Sequence, residues 1–163
     1  MQTMTAAGSR AAAPSATTLF HLAIGGLAGL GLWEVWAHVP TTLAVGGPLE
    51  PPGLIKSLFQ NLFGVAVPDV WARALHYFTG VIGYPVGYYV LTRHVKSFGP
   101  RLDGWIWGVI TYFIALGVFA PLAGLPFLLL EWGGRLSLMS LIGHALYGWF
   151  AAFVFEHFER MRA

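Results

Sequence analysis

The sequence predicts an all-α, polytopic membrane protein: a bundle of four transmembrane helices with a short amphipathic interfacial helix in its first loop. Three observations predict it. Of 163 residues, 56% are hydrophobic and only 10% charged, where an ordinary soluble domain carries about 25% charged residues. Four apolar blocks each approach the ~20 residues that an α-helix needs to cross a hydrocarbon core of about 30 Å. The apolar runs also lack a period of two, whereas membrane barrels are built from many short alternating segments.

The segment from Met1 to Thr17, rich in Ala, Ser and Thr, reads as a disordered tail. Its one basic residue is Arg10, and the apolar stretch behind it is as long as a full span and carries Glu34. The stretch therefore reads as a retained anchor rather than a cleaved signal peptide. Within a transmembrane domain of residues 18–158, the spans are expected at about 18–39, 70–92, 104–124 and 136–158, with 159–163 as a short cytoplasmic tail. Four crossings place Arg10, Arg93, Lys96, Arg101, Arg160 and Arg162 on one side, and Lys56, Arg73 and Arg135 on the other. The basic excess marks the cytoplasmic side, so both termini are expected inside.

The first loop contains Pro40, Pro48, Pro51, Pro52 and Pro68. Within it, at about 53–64, Leu54, Ile55, Leu58, Phe59, Leu62 and Phe63 recur at helical spacing, and Lys56, Ser57, Gln60 and Asn61 fill the gaps. This predicts a helix too short to span, started by prolines and lying in the outer interface. It could cap the bundle, cover it as a lid or dock a partner.

Helices in lipid associate where small residues let backbones approach. Gly25 and Gly29 offer such a face on the first span, and His76, Gly80, Gly83 and Gly87 on the second. The third offers Gly104, Gly108, Thr111 and Ala115, and the fourth Ser137, Ser140, His144, Gly148 and Ala151. Pro85 is expected to kink the second helix, and Pro121 and Pro126 to bend or end the third. Trp33, Trp36, Trp71, Trp105, Trp107 and Trp132 are expected in interfacial belts, with Trp149 deeper. A His-x-x-x-Gly pattern begins at His21, His76 and His144.

An ionisable side chain at the membrane centre costs about 2.5–3.5 kcal/mol on insertion scales, so such groups are candidates for function. Span directions place Glu34, His38, His76 and His144 in one layer near the non-cytoplasmic face. Glu34, His76 and His144 could form the first shell of a divalent metal. His76 and His144 could instead ligate haem, or the layer could bind an ion or proton. The alternative is that these groups only hydrogen-bond between helices. His21, Glu156, His157 and Glu159 read as interface residues. The basic loop containing Arg93, His94, Lys96 and Arg101 reads as a topology determinant that also meets anionic lipid. With no Cys, disulfides and thiolate sites are excluded. No catalytic motif is present, and the scattered cations form no nucleic-acid footprint.

Ala74-Leu75-His76-Tyr77 with Gly80, Gly83 and Gly87, followed by Gly143-His144-Ala145-Leu146-Tyr147-Gly148, resembles a family of small four-helix bacterial inner-membrane proteins of unknown function. The resemblance covers roughly residues 74–155, and Glu34 and the first loop fall outside it. It implies a four-helix bundle in the inner membrane and no activity. The leading expectation is thus a non-enzymatic structural or accessory bundle, with the lipid bilayer as its partner and other membrane subunits or self-association possible. A haem- or metal-binding protein is the alternative, and a small transporter the third reading.

Overall fold

The computed structural model describes residues 13–95 and 97–162. Most of the expected N-terminal tail, the basic residues Arg10 and Lys96, and the final residue Ala163 lie outside that range. Helix α1 (Ala16–His38) starts at Ser15, whose Oγ accepts the N–H of Thr18 at 3.1 Å. A side-chain oxygen at this position satisfies one of the first-turn donors that the helix itself leaves open. The helix therefore begins two residues before the predicted span, taking Ala16 and Thr17 from the expected tail. Pro40 opens a short α2 (Pro40–Val45), which Gly46 ends at φ 84°.

Helix α3 (Pro51–Phe63) occupies the predicted place in the first loop. Prolines stand in its first turn and Gly64 ends it at φ 66°, a left-handed conformation that glycine adopts without steric cost. Next come α4 (Asp69–Phe78) and α5 (Tyr84–His94), joined by a π-helical turn at Thr79–Gly83. Helix α6 (Pro100–Tyr112) runs through a second π-helical stretch, Phe113–Phe119, into α7 (Ala120–Leu122). A 3-10 turn (Phe127–Trp132) leads to α8 (Gly134–Arg162), which absorbs the described part of the expected C-terminal tail. There is no strand among the described residues. Ala16–Val45, Pro100–Leu122 and Gly134–Arg162 are long and apolar enough to cross a membrane.

The two π-helical stretches share a cause. Each ends two residues before a proline, Pro85 or Pro121. Proline brings no N–H to the ladder, and a local widening to i→i−5 bonding is one way for a helix to pass it. Pro85 thus shifts the register where a kink was expected, and the helix continues. Pro121 does the same for the third helix, which ends just beyond it, before Pro126.

Glycine sets how closely the helices approach. A methyl group added at Gly25 would lie 2.6 Å from the Ala151 carbonyl oxygen, and one at Gly29 would lie 2.8 Å from that of Tyr147. Across the other side of α8, Gly104 meets the Gly148 carbonyl oxygen and Ala152, while Gly108 meets the backbone of His144 and Ala145. Along both contacts the residue numbers run in opposite directions, so α8 is antiparallel to α1 and to α6. Helices α1 and α6 therefore point the same way. The α4–α5 helix is antiparallel to α1 as well: Gly26 meets Val81 and Pro85, Leu30 meets Gly80, and Glu34 meets His76. At one end of the bundle, His21 Nδ1 lies 2.6 Å from Glu159 Oε1, which ties the start of α1 to the end of α8.

Other glycines differ in what lies beside them. Gly80 meets Leu30, Gly87 meets the Trp107 ring, and Gly148 meets Gly104 and Gly108. Gly83 faces only Thr79 of its own helix. The inserted π residue rotates the rest of the helix, so Gly80, Gly83 and Gly87 do not share the face that uniform α-periodicity assigns them. Gly26, expected near the Gly25 and Gly29 face, and Gly143, outside the expected stripe of the fourth span, are also close-approach positions; Gly143 packs on Trp33 and Trp36.

The tryptophans divide between surface and core. Trp71, Trp105 and Trp132 are exposed, but Trp33 and Trp107 are core residues. Large apolar side chains such as Phe20, Leu27, Val35, Val118 and Phe153 cover the outside of the bundle, a surface suited to lipid.

Candidate functional site

Helix α3 lies across one end of the bundle with Leu54, Ile55, Leu58 and Phe59 turned inward. Beneath it is a cavity of about 300 Å³. Its walls come from α1, the α4–α5 helix, the π stretch before α7, the 3-10 turn and α8. Leu30, Leu75, Ala115, Leu116, Phe119 and Leu129 make most of it apolar, and Glu50, His76, Thr79, Tyr84, Ser140, His144 and Tyr147 supply polar groups. Two ties hold α3 in place. Asn61 Nδ2 donates to the Leu122 carbonyl oxygen at 2.9 Å, and Lys56 Nζ lies 3.0 Å from Asp69 Oδ1. Asp69, ahead of the second span, also receives Arg73, and that hydrogen bond, with the one from Lys56, holds its carboxyl below the usual carboxylate range.

The predicted layer of Glu34, His38, His76 and His144 is assembled in part. Glu34 Oε1 lies 3.3 Å from His76 Nε2, joining α1 to α4. Its other oxygen is 3.4 Å from His38 Nδ1, and the same nitrogen donates to the Glu34 backbone oxygen at 2.9 Å. His144 stands apart from this cluster. Its Nδ1 donates to the Ser140 carbonyl oxygen one turn back on α8, at 2.8 Å. Trp33 packs against both imidazoles, with ring centroids 5.4 Å from His76 and 6.3 Å from His144.

These positions bear on the two cofactor expectations. Among the described residues, no three His, Asp or Glu side chains gather as a metal-binding group; Glu34 and His76 pair, and His144 is turned to its own helix. Bis-histidine haem ligation would need one nitrogen of each ring aimed at a common iron, whereas His76 Nε2 faces the Glu34 carboxylate. The arrangement fits a hydrogen-bonded polar end to an apolar cavity.

The sequence reading missed two residues of the site. Trp33 reads as a belt residue from its distance along the span, yet it is 4% exposed between the two histidines. Tyr147 donates its hydroxyl to the Gly80 carbonyl oxygen at 2.6 Å in a buried bond. Its signal is Pro85. In the π turn the Tyr84 N–H bonds to the Thr79 oxygen, and Pro85 has no N–H to offer Gly80, so a neighbouring helix must supply the donor.

No family model, curated protein or solved structure matches this chain. Functional inference therefore rests on the cavity and its lining.

Proposed function

We propose that the protein is a four-span bundle of the bacterial inner membrane, with both termini in the cytoplasm, that holds an apolar small molecule beneath α3 without transforming it. The cavity carries this reading. Binding pockets are concave, mostly apolar and provided with a few convergent polar groups, and this one has that composition. The helix directions support the fourth crossing. Because α1 and α6 point the same way, the chain between them has to return across the bilayer, and the α4–α5 helix, antiparallel to α1, is the segment available. The positive residues of the loop after α5 support an inside location for that loop. Exposed Leu62, Phe63, Val65 and Trp71 support an interfacial seat for α3. Most of the small-residue faces are used within the bundle, which makes the bilayer itself the principal partner.

The test is co-purification. Protein extracted in mild detergent is expected to carry an apolar molecule at a fixed molar ratio, detected by mass spectrometry of its organic extract. Ala115→Phe, which fills the cavity, is expected to lose that molecule while remaining folded. If extracts of the two proteins match each other and a detergent blank, the binding reading fails.

A further inference from the structure

We infer that the molecule held in the cavity carries a hydroxyl head on an apolar body, a lipid-soluble phenol, quinol or long-chain alcohol, and that its O–H donates to Nε2 of His144. This inference rests on the cavity reading above and deepens it.

The donors and acceptors of the lining define what it can hold. A carbonyl oxygen can only accept, so the 2.8 Å bond from His144 Nδ1 to Ser140 places a hydrogen on Nδ1. In the neutral ring, Nε2 then presents a lone pair, and it has no partner among the described residues. Tyr147 gives its one hydroxyl hydrogen to Gly80, leaving only lone pairs. Ser140 Oγ is 3.4 Å from His144 Nδ1, where it can only be an acceptor, so its own hydrogen remains free. The polar lining from α8 therefore offers acceptors at His144 and Tyr147 and one donor at Ser140.

A polar group that faces an apolar cavity gains from a partner there, and this set selects the head group that would complete it. A ketone or ester can only accept, which leaves His144 Nε2 unmet. A carboxylate needs a cation, and Lys56 and Arg73 are both engaged by Asp69. A hydroxyl donates to His144 and accepts from Ser140, so it meets both needs while its apolar body fills the remaining space.

The experiment compares para-octylphenol with its methyl ether, para-octylanisole, for binding to the full-length protein in lipid nanodiscs. The two differ in one donor hydrogen. The phenol is expected to bind about five- to tenfold more tightly, as one net hydrogen bond allows. His144→Leu is expected to bring the phenol down to the level of the ether. The preference within the native protein needs no variant, so misfolding of His144→Leu leaves the test intact. Equal binding, or tighter binding of the ether, overturns the head-group inference and leaves the cavity reading standing. If neither compound binds above the Ala115→Phe protein, the cavity reading itself is overturned.

Discussion

Gly148→Ala is expected to destabilise the bundle by about 2–3 kcal/mol, toward the upper end of what overpacking a tight interior costs. The added methyl would lie 2.5 Å from the Gly104 oxygen and from the Gly108 nitrogen. Both are backbone atoms, so no side chain can rotate away, and α6 must move off α8 as a unit. Gly31→Ala is the matched control: nothing lies within 4 Å of a methyl there, and its effect is expected to stay within about 0.5 kcal/mol. Unfolding in mixed micelles measures both. Gly108→Ala invades the same contact, so the double variant with Gly148→Ala is expected to cost less than the sum of the two. Equal losses at Gly31 and Gly148 would mean that close approach of α6 and α8 does not hold the structure together.

Tyr147→Phe is expected to cost about 1–2 kcal/mol, the range for a buried hydrogen bond whose acceptor is left without a donor. Interhelical bonds in lipid average about 0.6 kcal/mol, below this range, but the Gly80 oxygen has no substitute partner while Pro85 is present. Pro85→Ala supplies an N–H and allows the helix to return to i→i−4 bonding, in which Tyr84 N–H serves Gly80. In that background Tyr147→Phe is expected to cost at least about 1 kcal/mol less. A double-mutant cycle measures the coupling, and additivity would sink the link between the proline and the tyrosine.

The features legible in the sequence are its regularities. The long apolar runs give the three membrane-length helices, and the four-residue spacing of Gly25 with Gly29 and of Gly104 with Gly108 gives two faces of α8's packing. The amphipathic run after Pro51 gives α3. The features that were not legible came from breaks in regularity and from neighbours. The π turn at Thr79–Gly83 rotates Gly83 off the face that uniform periodicity predicts. The separate contact made by Gly26 was not legible because one face was assigned to each helix, whereas α1 contacts both α8 and the α4–α5 helix. The Glu34–His76 pair came from depth along antiparallel spans. The separate position of His144 depends on its rotation about α8 and on the bulk of Trp33, which depth alone does not specify. The cavity is formed by segments distant in sequence, and no local pattern announces it.

The central claim is that the segment at about 70–92 carries the chain back across the membrane, and the absence of cysteine from the sequence allows a direct test. Single cysteines introduced as Ser57→Cys and Arg101→Cys would be exposed to a membrane-impermeant maleimide in intact cells from which the outer membrane has been removed. The account predicts that the cysteine at 57 reacts at once and that the one at 101 reacts only after permeabilisation. Equal reactivity of the two in intact cells would place both loops on one side, and the four-span architecture would be wrong.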